Sequence, residues 1–187
     1  MPIVVTRDEY FETALALLAS DGHGALKIGT LCRSLGVTTG SFYHYFGSLD
    51  GFVEAFLEYW ERERTARVIQ LANVPADPSE RIERLKALAL DVPHDAEGAI
   101  RAWANSNARV AEVQKRVDQE RFDALRDVIL GVVPDRRRAE LLAVLGISML
   151  VGLPMWRSPV QRRELARLFD EFEQAILRHA AELGAGS

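Results

Sequence analysis

The residues of this sequence best suited to holding a metal or moving a proton are His23, His44, His94, His179 and the single cysteine, Cys32. No two of the histidines stand at a spacing that helices or loops use to converge on one metal ion. One cysteine cannot form an intrachain disulfide. No glycine-rich loop is built to cradle phosphate, and no serine or cysteine comes with a base that would activate it. The expectation is therefore a protein that is not an enzyme and has no cofactor and no metal site. A different chemistry, that of recognition, is offered by Thr38-Thr39-Gly40-Ser41-Phe42-Tyr43-His44. Hydroxyl, phenol and imidazole groups can reach phosphate oxygens and base edges, and a glycine among them lets a backbone approach closely. The candidate DNA-contacting residues are Lys27, Thr38, Thr39, Gly40, Ser41, Tyr43 and His44.

A rigid mount is needed to present such a run, and the flanking residues supply the pattern for one. Ile28 to Leu35 reads as a short helix ended by Gly36, which can take the left-handed conformation of a helix C-terminus. Val37 follows as an apolar plug. Thr38 stands at the cap of a second short helix reaching about Tyr45. Ile28, Leu31, Cys32, Leu35 and Val37 fall on one side and fix the angle between the two helices. Phe42 and Phe46 are assigned to the core, Tyr43 and His44 to the surface, and Cys32 to a small buried position. This is the layout of a helix-turn-helix, whose second helix enters the major groove while the first crosses the backbone.

Apolar residues recur at three and four along the rest of the chain, with no sustained strand alternation. A first helix is expected from about Arg7 to Ser20, stopped at Asp21-Gly22-His23-Gly24. Ser48 caps a long one that puts Phe52, Phe56, Leu57 and Trp60 on one face. Asp77-Pro78-Ser79-Glu80 and Ser158-Pro159 open two more. Between them lie helices around Ala96–Ser106, Ala108–Leu130 and Arg136–Val151, with Pro93, Pro134 and Pro154 marking boundaries. The fold class is all-α. A three-helix helix-turn-helix domain over residues 1–47 is joined to a helical bundle over 48–187, with about nine helices in all.

The run Leu35-Gly36-Val37-Thr38-Thr39-Gly40-Ser41-Phe42-Tyr43-His44-Tyr45-Phe46, followed by Ser48-Leu49-Asp50, resembles the tetracycline-repressor (TetR) family of bacterial transcriptional regulators. The likeness covers about residues 7–60. It implies a dimer that binds a near-palindromic double-stranded DNA operator, represses nearby genes, and is released by a small-molecule effector. Leu49 stands where the family usually carries a lysine. One lost phosphate contact flattens the salt dependence by about one unit without changing which bases are read. Lys27 and Arg33 partly compensate.

Charge does not favour bulk attraction to nucleic acid. The net charge is −4, and residues 1–50 hold three basic side chains (Arg7, Lys27, Arg33) against five acidic ones. Binding has to come from placement of a few groups. A second reading follows, a helical ligand-binding or interaction protein with a weakened DNA head.

Hydrophobic residues make up 48% of the 187, enough for a sizeable core. No run of about 18 apolar residues is evident, so no membrane span is expected. Met1 to Asp8 does not read as a secretory signal. A reducing cytoplasm is the expected location.

Trp60, Trp103, Asn107, Phe122, Met149 and Trp156 are the candidates to line a pocket for an apolar or aromatic effector, because bundles place such sites between helices. For each the alternative is plain core. Trp103 leads, since Asn105 and Asn107 bring amides near it in sequence. Two apolar stripes near the C-terminus, Leu141, Leu142, Leu145 and Met149, then Leu165, Leu168, Phe169, Phe172 and Ile176, fit a four-helix interface between two chains.

Overall fold

The computed structural model describes residues 5–72, 77–157 and 159–185, leaving aside the side chains of 64–72, 78, 79 and 183–185. The chain is all-α, with nine α-helices and no strand among the described residues. It divides into two compact units. Unit 1 is Met1–Glu63 with Pro93–Gln114, and unit 2 is Arg64–Val92 with Lys115–Ser187. The packing unit that carries the helix-turn-helix thus reaches further than residues 1–47 and takes in a segment distant in sequence.

Unit 1 begins with α1 (Arg7–Asp21). Thr6 and Glu9 close a capping box: the Glu9 N–H donates to Thr6 Oγ1 at 3.3 Å and the Thr6 N–H donates to Glu9 Oε2 at 2.7 Å. The backbone hydrogen bond from Thr6 holds the Glu9 carboxyl below its ordinary pKa. Tyr10, Phe11, Ala14, Leu15 and Leu18 are the buried face of α1. A 3-10 turn, His23–Ala25, follows where the sequence showed only a stop. Then come α2 (Ile28–Leu35), α3 (Thr39–Phe46) and the start of α4 (Leu49–Ala72). Gly36 sits at φ 67° and ψ 29°, the left-handed region that a side chain would strain. Ser48 caps α4 as expected, accepting from the Gly51 N–H at 3.0 Å. The unit is completed by α6 (His94–Ala104), which packs along α1, and by the beginning of α7 (Ala108–Leu130).

Unit 2 holds α5 (Pro78–Leu90), the remainder of α7, α8 (Arg136–Trp156) and α9 (Arg162–Ala185). Its core is mostly aliphatic: Ile82, Val128, Ile129, Val133, Leu142 and Ile176 cluster, and a second cluster joins Leu153, Leu165 and Phe169. Asp135 caps α8 by accepting from the Arg138 N–H at 3.0 Å.

Two boundaries differ from expectation. Pro154 was expected to mark the end of a helix closing at Val151, yet α8 continues through it to Trp156. The proline removes its own N–H bond and its ring crowds the carbonyl of Leu150, one turn back within α8. Leu153, buried against Leu165 and Phe169, holds the last turn in place. The last helix opens at Arg162 rather than beside Pro159, and the expected cap at Ser158 lies outside the described residues. Arg162 is tied to the end of α5, donating to the Leu90 carbonyl and to Asp91, both at 2.9 Å.

One described helix, α8, is notably long and apolar. By length and composition it could cross a membrane, although only a third of its most apolar stretch (33%) is buried in the fold. Glu140, Ser148 and the glycines break up a continuous apolar run, which is why a strict count of consecutive residues passed over it.

Candidate nucleic-acid interface and effector cavity

Tyr10 is the hub on which α3 is mounted. Its ring is fully buried and meets Phe42, Tyr45 and Phe46 edge-on, with centroids 5.8, 6.0 and 5.2 Å away. Phe52 of α4 closes the cluster against Phe42 at 5.5 Å and Phe46 at 5.0 Å. Such offset and edge contacts add about 0.5–1.5 kcal/mol per pair beyond area burial. They also fix the rotation of α3 about its axis. Phe42 and Phe46 lie in the core, as the sequence pattern required.

The opposite face of α3 is open. Thr38, Thr39, Gly40, Tyr43 and His44 are exposed, and Tyr43 shows 52% of its surface. Thr38 stands at the N-cap in extended conformation (φ −83°, ψ 157°), but its side chain makes no capping bond. The turn is instead held through the backbone: the Val37 N–H donates to the Cys32 carbonyl at 3.0 Å and the Ser41 N–H to the Thr38 carbonyl at 3.1 Å. Lys27 and Arg33 are exposed on α2 and its entrance. Cys32 is buried, and burial pushes its thiol pKa up.

Ser41 differs from its expected companions. It is half-buried, and its Oγ accepts from the Tyr10 hydroxyl at 3.3 Å, so this side chain also docks α3 on α1. Burial is the main reason the Tyr10 phenol is raised in pKa, with the Ser41 bond opposing it. Arg7, passed over in the sequence, lies across the Phe46 ring at 5.4 Å and puts a cation beside the C-terminal end of α3. No local pattern marked it, because the contact joins the first turn of α1 to the last turn of α3. Leu49 is half-buried at the start of α4.

The six residues expected to line one pocket are divided between the two units. Trp60, Trp103 and Asn107 belong to unit 1, and Phe122, Met149 and Trp156 to unit 2. Trp60 is fully buried, and Trp103 is buried with its indole stacked on His23 (centroids 5.9 Å, planes 4° apart). Asn107 caps α7, accepting from the Val110 N–H at 3.1 Å. Phe122 and Met149 pack at the margins of the aliphatic clusters, and Trp156 is 71% exposed. Aromatic type does not reveal which side of a helix faces empty space.

Space of that kind lies in unit 2, in a cavity of about 120 Å³. Ile82, Leu85 and Ala89 of α5, Ala124 and Leu125 of α7, Gly146, Ile147 and Leu150 of α8, and Phe169, Phe172 and Ile176 of α9 form its apolar walls. Lys86, Arg121 and Glu173 supply its polar groups. At Gly146 a Cβ would stand 2.6 Å from Leu125 Cδ2 and 2.9 Å from the Phe172 ring, so only glycine lets those side chains close in. The C-terminal stripes are likewise corrected. Leu142, Leu165, Phe169 and Ile176 are spent inside unit 2, whereas Leu141, Val144, Leu145, Met155 and Trp156 remain exposed along α8.

A first helix docked through Leu31 and Cys32, a left-handed glycine turn and a second helix with one polar open face define a helix-turn-helix head of the DNA-binding kind. The family model for bacterial regulatory proteins, tetR family, matches residues 11–56, the stretch that carries the helix-turn-helix. The HTH-type transcriptional repressor KstR2 of Mycobacterium tuberculosis is 25% identical over 121 residues. That stretch is 65% of this chain, and the match spans 58% of the relative's length. Among solved structures, the TetR transcriptional regulator from Legionella pneumophila superposes with a TM-score of 0.70 at 19% identity, covering 98% of this chain and 99% of that one. A transcriptional regulator from Saccharomonospora viridis in complex with choline gives 0.72 at 17% identity, covering 90% and 95%.

Proposed function

We propose that this chain is a DNA-binding transcriptional repressor acting as a homodimer in the cytoplasm, released from a near-palindromic operator by a small molecule. Residues 1–47 are the reading head, and residues 48–187 sense and associate. The observation that carries the reading is the open polar face of α3, Thr38 to His44, mounted rigidly on the Tyr10 ring cluster. Thr39, Tyr43 and His44 project toward base edges and phosphates, Gly40 permits close approach, and Lys27, Arg33 and Arg7 supply flanking cations. Two such heads address half-sites about one DNA turn apart.

The second copy covers α8. Leu141 (69% exposed), Val144, Leu145 and Met155 make a stripe along one face of that helix, more than a lone chain in water usually leaves open. A bilayer is the poorer cover, because exposed arginines of the neighbouring α9, Arg163, Arg167 and Arg178, would be carried in with it. The effector occupies the unit 2 cavity. The transcriptional regulator of the same fold solved with choline supports a small molecule as the signal. An effector releases DNA by its differential affinity for the two shapes of the protein.

The test is a gel shift with DNA upstream of the chain's own gene, at several salt concentrations. Tyr43→Ala together with His44→Ala is expected to weaken binding about tenfold or more if each contact contributes at least about 1 kcal/mol. Undiminished binding overturns the assignment of the face. A specific observation favours one alternative, a ligand-binding protein with a weakened head: Leu49, where a lysine would reach phosphate, is half-buried and apolar. Salt-insensitive, sequence-indifferent behaviour toward DNA selects that alternative.

A further inference from the structure

The polar groups of the unit 2 cavity already satisfy one another. Lys86 Nζ, on a side chain 17% exposed, meets Glu173 Oε2 at 2.7 Å, Glu83 Oε1 at 2.9 Å and Asp170 Oδ1 at 3.1 Å. An ammonium has three N–H donors, and here three carboxylates take them. Burial alone would lower the lysine's pKa; the bonds from Glu173, Glu83 and Asp170 outweigh it and leave the group firmly charged. Glu173 is itself largely buried, at 14% exposed, and Arg121 faces Asp118 at 3.9 Å.

From this we infer that the cavity takes an uncharged, apolar molecule about the size of a single ring, and rejects the same ring carrying either charge. The inference rests on reading unit 2 as the sensing part. An anionic ligand would have to displace a carboxylate from Lys86 and would meet the surplus negative charge of Glu83, Asp170 and Glu173. A cationic ligand would compete with Lys86 for Glu173 and leave one ammonium without its partner. Breaking a buried pair strands a charge, a heavy cost in a site with apolar walls. The size follows from the volume. An apolar cavity of about 150 Å³ lined by Leu, Ile and Phe stays dry and accepts benzene or xenon, and this one, at about 120 Å³, is of that order.

The experiment uses the full chain and three probes of one shape: toluene, benzoate and benzylamine. Thermal melting and competition calorimetry near neutral pH report binding. Toluene is expected to raise the melting temperature and to bind about a hundredfold more tightly than either charged ring. Ala89→Leu, which grows a side chain into the cavity, is expected to abolish the toluene effect while keeping the helical circular dichroism. Should that variant not fold, Ala124→Val serves the same purpose. Equal binding of benzoate or benzylamine, no binding of toluene, or toluene binding that survives the filled cavity overturns the inference. The repressor reading is scored separately by gel shift. Toluene bound with operator affinity unchanged sinks the effector role and leaves the ligand class standing. Operator binding without toluene binding does the reverse.

Discussion

In unit 1 the helix α3 is mounted on rings, whereas the clusters of unit 2 are mostly aliphatic. Around α3, the rings of Tyr10, Phe42, Phe46 and Phe52 touch one another at defined angles. Each has only two side-chain torsions, so a helix docked on them has one rotation and one depth. Around the cavity, Ile82, Leu85, Leu125 and Leu150 are aliphatic side chains with several rotamers, and Gly146 withholds a side chain. A surface that must present hydrogen-bonding groups in register suits the first construction. A space that must admit a guest suits the second.

The comparison breaks most severely at Phe42. Replacing this fully buried ring by alanine is expected to cost about 3–5 kcal/mol in chemical denaturation, and a value under about 1 kcal/mol would show that the ring cluster does not hold α3. In unit 2 the corresponding probe is overpacking. Gly146→Ala places a Cβ against Leu125 and Phe172 and should cost about 1–3 kcal/mol, with a loss of cavity volume visible as weaker toluene binding. Thr6→Ala removes the hydroxyl of the α1 capping box and should cost about 1 kcal/mol, read from the denaturant midpoint. The smallest effect sharpens the contrast between mount and surface. Tyr43→Ala with His44→Ala, which disturbs DNA binding on the proposed reading, should leave stability within about 0.5 kcal/mol because both side chains are exposed.

Cys32 offers a check by pH. Burial raises its pKa in the folded chain, so as pH climbs the unfolded chain loses the thiol proton first. The stability that the neutral thiol contributes is intact below the ordinary thiol value of about 8.5 and falls as pH rises from there toward the folded value. Denaturation midpoints should therefore drop as pH rises above about 8.5, and the drop should be smaller in Cys32→Ala. A thiol-reactive dye at pH 8 should label the folded chain slowly and the unfolded chain at once.

Much of unit 1 was legible because its signals are local. Gly36 at the end of α2, Ser48 before α4, and the alternation of buried Phe42 and Phe46 with open Tyr43 and His44 all repeat over one or two helical turns. The α9 stripe was equally plain as a stripe, yet its partner was misassigned. A periodic apolar face declares that it will be buried, not against what. Phe169 and Ile176 face their own subunit, and Leu141 and Leu145 do not.

The sequence by itself determined the all-α class, the Ser48 cap, the Gly36 turn and most of the residues that a short second helix holds outward, since capping and periodicity depend on neighbours within a few positions. Tertiary structure alone decided that Ser41 bonds to Tyr10, that Arg7 lies on Phe46, and that Trp103 stacks on His23. It also placed the open space among α5, α7, α8 and α9, behind a lysine whose three donors are all taken. Those contacts join residues far apart along the chain. Where a void remains depends on how well helix surfaces interlock, which no single helix encodes.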